Sequence, residues 1–248
     1  MSHPLQASPG AFDPLQPEGD ARLILYIDFK SPYAFIATGP TWAMADALGI
    51  RIDWRPFVLD IPSYLGSARL DDSGKVAESN RTPEQWSGVR YAYHDARRYA
   101  KLANHMLRGT TKIWDSSLAA LGMMWAKRDG DAVLRRYIAR VYEPFWRREL
   151  DIEDIEVVLG VLANAGATTA GAHAWMLGEG RTLLDDQQPR IFDAGVFGVP
   201  TYVLDGETWF GREHLPWLHW KLAGAHGRAP DIGYVHMPPV VATTGHAG

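Results

Sequence analysis

The apolar pattern changes period along the chain. Arg22–Phe29 reads RLILYIDF, a near-continuous β-rich run that predicts a buried strand. From Ser31-Pro32 to about Leu48 the apolar positions take helical spacing. Gly39-Pro40 inside this stretch predicts a kink or interruption, and Gly49 closes it. Ile50–Phe57 alternates as a second strand, which makes a β-α-β unit with its crossover helix. Residues 58–82, rich in Pro, Gly, Ser and Asp, predict a long irregular loop, a feature that in a compact domain is usually functional or mobile. Helical spacing returns over Pro83–Ala103, Ser116–Arg128, Asp131–Trp146 and Ile155–Ala165. The last of these has a cap-like start at Asp151–Asp154 and a stop at Gly166. Thr168–Leu177 and Arg181–Ala194 predict shorter helices. Pro200–Leu204 and Glu207–Phe210 flank Asp205-Gly206, a hairpin signal, and Arg212–Leu222 is helical.

The order is therefore β-α-β, a block of helices, then β-β-α: an α/β fold with a large helical insertion. The boundaries expected are a flexible arm over 1–21, an α/β domain from 22–57 plus 195–224, a loop and helical insertion over 58–194, and a surface tail over 225–248.

Composition narrows the class. The 248 residues are 46% hydrophobic and 22% charged, enough to bury a core and unlike a disordered chain. A net charge of −4 argues against nucleic-acid binding and a polybasic membrane surface. No apolar run reaches the ~18–20 residues of a membrane helix. The N-terminal arm lacks the basic and apolar regions of a secretory signal, so a cytoplasmic protein is expected. The absence of cysteine excludes disulfides, thiolate metal sites and cysteine nucleophiles. Nine histidines show no HExxH spacing, and no GxxxxGK or strand-linked GxGxxG occurs, so no metal or phosphate-loop cofactor is expected. Arg97-Arg98, Arg135-Arg136 and Arg147-Arg148 have acids nearby and read as solvated helix faces. Ten tryptophans suggest aromatic packing first and a flat-ligand pocket second.

Three motifs carry chemistry: Ser31-Pro32-Tyr33-Ala34, Gly198-Val199-Pro200-Thr201 and Phe210-Gly211-Arg212-Glu213. A β-α-β/β-β-α sheet can bring them to one end. Each also has a plain structural reading. Ser31-Pro32 is an ordinary cap and first-turn pair. Pro200 can open a strand in the trans form, and Glu213 suits the first turn of a helix.

DFKSPYAFIA near the start and GVFGVPTYVLDGETWFG near the end resemble the kappa-class glutathione transferases and 2-hydroxychromene-2-carboxylate isomerases. These are a DsbA-like branch of the thioredoxin-like fold, and the resemblance spans roughly residues 22–222. It implies that Ser31 and Ala34 stand where the redox branch carries its two cysteines. Without cysteine, thiol–disulfide exchange by this chain is chemically excluded.

The resemblance implies glutathione as cofactor, its thiol held by Ser31 and its cysteinyl backbone paired with Val199 beside a cis-Pro200. Phe210, Gly211, Arg212 and Glu213 would grip its γ-glutamyl end. Here the sequence departs from the family: Arg212 replaces a small polar residue and Glu213 replaces Asp. Asn80 and Arg81 match an Asn-Arg pair that lines the substrate site, although as residues they read equally well as loop groups capping the next helix. Lys75 is a possible second cation. Trp114 falls near a substrate-lining tyrosine, while a lone Trp is more often core.

The implied activity is glutathione-dependent isomerisation of the 2-hydroxychromene-2-carboxylate type, by reversible thiolate addition to an aromatic or unsaturated carboxylate. The alternatives are a kappa-like glutathione transferase and a non-catalytic glutathione- or peptide-binding module. The family is commonly dimeric, so a homodimer is expected.

Overall fold

The computed structural model describes residues 12–231. Strand β1 (Leu23–Ile27) is buried along its whole length, as its unbroken apolar run requires. Helix α1 (Pro32–Leu48) follows, with Ser31 as its cap and Pro32 in its first turn. It ends at Gly49, whose φ of 63° allows its N–H to reach the Ala45 and Asp46 carbonyls. The expected interruption at Pro40 does not occur; the helix runs through it. Thr38 and Thr41 hydroxyls bond the Ala34 and Ala37 carbonyls at 2.9 and 2.7 Å, and the buried packing of this helix outweighs the bond that Pro40 cannot make.

Strand β2 (Ile52–Pro56) lies parallel to β1. Residues 58–82 are less irregular than expected. They hold a short helix α2 (Ile61–Leu65) and a hairpin of β3 (Ala68–Leu70) and β4 (Val76–Ser79). All four β4 residues are exposed, so no alternation marked the strand.

The insertion contains α3 (Pro83–Leu102), α4 (Ser117–Lys127), α5 (Asp131–Trp146), α6 (Ile155–Ala165), α7 (Ala172–Leu177) and α8 (Glu179–Asp193). Helix α3 starts with a capping box between Thr82 and Gln85, so Asn80 is not its cap. Asp154 caps α6 and Gly166 stops it. Helices α7 and α8 begin at Ala172 and Glu179, not at Thr168 and Arg181.

The chain then returns through β5 (Thr201–Leu204) and β6 (Glu207–Phe210), joined by the expected turn at Asp205 and Gly206, with φ of 53° and 79°. The last helical stretch divides into a 3₁₀ turn (Arg212–His214) and α9 (Leu215–Leu222).

The sheet order is β2-β1-β5-β6, with β5 and β6 antiparallel. The insertion shares its core with the sheet. Phe29 meets Tyr142 of α5 at a ring distance of 4.9 Å, and the Tyr142 hydroxyl donates to the Asp28 carbonyl at 3.1 Å. Residues 12–21, expected within a flexible arm, are pinned to β2. Arg55 donates to the Asp13 and Gln16 carbonyls at 2.5 and 2.7 Å. Residues 1–11 of the arm and 232–248 of the tail lie outside the described residues.

Candidate active site

The head of α1 and the entry to β5 meet. The Ser31 hydroxyl accepts from the Ala34 N–H at 3.2 Å and donates to the Val199 carbonyl at 3.4 Å. Its capping and contact roles are thus held by one side chain, buried to 4% exposure. The Val199-Pro200 bond is cis, and the Val199 N–H has no acceptor among the described residues.

The register of β5 on β6 sets Phe210 opposite Thr201, and the Gly211 N–H donates to the Pro200 carbonyl at 2.9 Å. Gly211 has φ of 105°, a backbone conformation that favours glycine, and the Glu213 carboxylate lies against its Cα. Glu213 is exposed and folds back over that glycine. Arg212 stacks on Tyr99 of α3 at 4.0 Å, and its buried Nε has no partner among the described residues. Phe210 packs against Phe197, with ring centroids 4.9 Å apart. The three motifs are therefore brought together.

Tyr33, next to Pro32, is pushed up to about 12, first by burial and then by Asp95, to which its hydroxyl donates at 3.3 Å. The phenol stays protonated through the neutral range.

Two cavities open beside this point, of about 1060 and 740 Å³. They share Lys30, Ala68, Lys112, Ile113 and Trp114. Ser31 lines neither, but Lys30 lines both and Pro32 lines the smaller. The smaller cavity presents Trp86, Tyr91, Tyr93 and Trp114 together with Arg81, Arg90, Arg97, Lys112 and Arg148, and no Asp or Glu lines it. Such a surface suits a flat anionic ligand.

Arg81 and Trp114 both line the smaller cavity. The Arg81 guanidinium stacks over Trp86 at 5.0 Å, and its Nε donates to the Gly66 carbonyl at 3.3 Å. Burial draws its pKa below the usual arginine value while leaving the guanidinium charged. Trp114 also packs edge-on against Phe145 at 5.7 Å, so it has a core role as well. Asn80 lines the larger cavity, but its side-chain oxygen accepts from the Ser67 N–H at 2.6 Å and braces the hairpin. Lys75, expected as a second cation, is instead exposed in the β3–β4 turn and lines neither cavity; its backbone bonds to Asp71 place it there.

The cation missed in the sequence is Lys30. Its ammonium pairs with Asp28 at 3.4 Å and donates to the Ser116 hydroxyl at 3.2 Å. Asp28 also accepts from Ser116 at 2.5 Å and from the Leu59 N–H at 2.8 Å. A Lys next to the conspicuous Ser-Pro pair was the available signal, but its partners are distant in sequence. The arginine doublets also split. Arg98 and Arg147 pair with Asp95 and Glu149 at 3.1 and 2.8 Å, whereas Arg97 and Arg148 face the cavity.

A search of the curated proteins finds no significant match. Among solved structures, the chain is similar to 2-hydroxychromene-2-carboxylate isomerase, at 20% identity and a TM-score of 0.62, covering 81% of this chain and 94% of that one. It is also similar to a probable DsbA oxidoreductase from Streptomyces coelicolor, at 15% identity and a TM-score of 0.60, covering 85% and 93%. The cytosolic disulfide reductase DsbM of Pseudomonas aeruginosa, solved with GSH, aligns at 19% identity and a TM-score of 0.50, covering 75% and 87%. At these identities the likeness is one of fold, and it agrees with the thioredoxin-like arrangement of sheet and helical insertion. The model of the DSBA-like thioredoxin domain matches residues 22–223, and the chain therefore belongs to the DsbA-like thioredoxin family.

Proposed function

We propose that this chain is a glutathione-dependent isomerase acting on an aromatic or unsaturated carboxylate. The observation that carries the reading is the Ser31–Val199 contact standing beside a cationic, aromatic cavity without acidic lining. The solved structures of an isomerase and of a disulfide reductase with GSH on this fold support it.

The residues present fit glutathione. The unpartnered Val199 N–H and its carbonyl offer the pair of groups that a short extended peptide uses. The orphaned Arg212 Nε can take a carboxylate, and exposed Glu213 can take an ammonium. Glutathione, when bound, would supply the thiolate nucleophile that this cysteine-free chain lacks, for reversible addition to a conjugated double bond.

The chain's own residues do the rest. Ser31 sits at the N-terminus of α1, where the hydroxyl and the helix dipole favour negative charge. On rotating from the Val199 carbonyl, its proton can be donated to an anionic sulfur. Lys30 and Arg81 present positive charge to a substrate carboxylate or enolate, and Trp86 and Trp114 supply flat apolar walls. Asp28 offsets the Lys30 charge from behind, while Arg81 has no carboxylate partner among the described residues and keeps its full charge toward the cavity.

The test is to follow a Z-configured, conjugated aromatic acid with protein, with and without glutathione. The expected result is conversion to the E form that requires glutathione and leaves total free glutathione unchanged. Loss of free glutathione would identify conjugation instead, and no change in either quantity overturns the reading.

A further inference from the structure

We propose that Arg97 and Arg148 form a second anion subsite in the smaller cavity, so that it selects substrates carrying two acidic groups. The proposal rests on the reading above for the position of the first acid, near Lys30 and Arg81.

Both arginines are held in the same way. Arg97 Nε donates to the Leu107 carbonyl at 3.0 Å, and Arg148 Nε donates to the Gly109 carbonyl at 2.6 Å. Each bond fixes a guanidinium through its inner nitrogen and leaves the outer nitrogens for a ligand. Both groups come to Gly109, where a built Cβ would lie 3.4 Å from Arg97 Nη2. Neither has a carboxylate partner among the described residues, although the other arginine of each doublet has one. Two guanidinium groups brought to one glycine without an acid repel each other, and a bridging oxyanion relieves this.

The backbone of Arg148 is a second, independent observation. Its φ is 62°, a left-handed conformation that favours glycine. It follows the cap of α5: its N–H reaches the Phe145 carbonyl at 2.9 Å, and the next N–H reaches the Pro144 carbonyl at 2.8 Å. This is the Schellman arrangement, whose left-handed position is usually glycine. An arginine there is unfavourable for the backbone, so the side chain is what the position gains.

Position sets the ligand class. Segment 109–116 runs along the cavity, and its residues from Gly109 to Trp114 line one wall. Its Gly109 end meets Arg97 and Arg148, and its Ser116 end meets Lys30. Between them, Thr110 bonds the Tyr93 hydroxyl at 3.0 Å, and Trp114 presents its ring. The two cationic ends separated by aromatic surface fit a flat, unsaturated dicarboxylate with its acids at opposite ends.

The experiment compares cinnamate with para-carboxycinnamate by calorimetry on the full chain, in wild type, Arg148→Gly and Arg97→Gln. Wild type is expected to bind the dianion about tenfold or more tightly than the monoanion, the value of a charge-assisted hydrogen bond. In both variants this ratio should fall toward one. Arg148→Gly should melt no lower than wild type, because glycine suits its backbone. If it melts well below wild type, Arg148 is a clamp on Gly109, and the ratio in Arg97→Gln decides. A wild-type ratio near one, with cinnamate bound, overturns the subsite alone, as does a ratio that survives both substitutions. If wild type binds neither acid, the subsite and the substrate cavity fall together, while glutathione binding is judged separately by melting.

Discussion

Ser31 and Val199 are joined by a hydrogen bond of 3.4 Å, and the same Ser31 oxygen accepts from the Ala34 N–H at 3.2 Å. The two bonds use different faces of one hydroxyl. The capping bond uses a lone pair, and the bond to Val199 uses the proton. A ligand can take the proton without uncapping the helix.

Ser31→Ala therefore separates two effects. Loss of the cap should cost about 1 kcal/mol of stability. Loss of the donor to a bound thiolate should cost about 1.5–3 kcal/mol, raising the thiol pKa by roughly one to two units. Turnover at neutral pH should fall about tenfold. Ultraviolet absorbance of the thiolate against pH, on protein saturated with glutathione, measures the shift. If the variant only melts earlier and titrates like wild type, Ser31 is a cap alone.

Glutathione at about 100 times its dissociation constant should stabilise the fold by roughly 2.7 kcal/mol. Arg212→Ala should weaken that binding by about tenfold, since it removes a guanidinium whose buried Nε has no partner. Melting curves across a glutathione titration read both effects. An unshifted melt in wild type rules out the cofactor, and an unshifted affinity in the variant assigns Arg212 to packing on Tyr99.

The Lys30–Asp28 pair is buried, with side-chain exposures of 5% and 1%. Lys30→Met should destabilise by about 3–5 kcal/mol, because it strands a buried carboxylate. Adding Asp28→Asn should recover part of the loss, because an amide is less costly to bury than an unpaired charge. Denaturant melts of the four proteins in the cycle measure the coupling. A loss in the double variant equal to the sum of the two single losses would show that the pair is not coupled.

Alkaline pH should unfold the protein through its tyrosines. Burial raises Tyr137, Tyr142 and Tyr202, and Tyr33 is pushed up to about 12 by burial and Asp95. Their unfolded pKa is about 10, so the unfolded chain loses these protons first as pH rises. Their stabilising contribution is complete below pH ~10 and declines above it. Phenolate absorbance should lag in the folded protein and then rise with the loss of circular dichroism. Smooth titration of every tyrosine near pH 10 with the fold intact would contradict the burial.

Where burial and turn chemistry dominate, the sequence was readable. The β1 run, the Gly49 stop, the Asp154 cap and the Asp205-Gly206 turn each carry a local physical reason. Exposed β4 carries none, because neither of its faces is covered. Pro144 and Pro189 sit inside α5 and α8, where local rules oppose them and packing prevails. In the site, the Ser31, Val199 and Arg212 motifs were legible as strings. Lys30 was not, since Asp28 makes it an ordinary loop charge until Ser116 folds against it. The arginine doublets read as solvated faces because neighbouring side chains, on α3 at Arg97-Arg98 and just past the end of α5 at Arg147-Arg148, point in different directions, and only the fold shows which one meets an acid.

The segment pinned over β2 holds Arg55, Tyr26 and Asp53 through its main chain. Asp13, Pro14 and Gln16 lend carbonyls to Arg55 and Tyr26, and Glu18 lends its N–H to Asp53 at 2.9 Å. Side-chain identity at Pro14 and Gln16 therefore matters little, while spacing matters a great deal. Substitutions there should pass almost unnoticed. Removing a single residue between Asp13 and Glu18 would shift those groups out of register and leave the buried Arg55 guanidinium without its two carbonyl acceptors, with Asp53 still paired to it. This stretch tolerates a change of letter far better than a change of length.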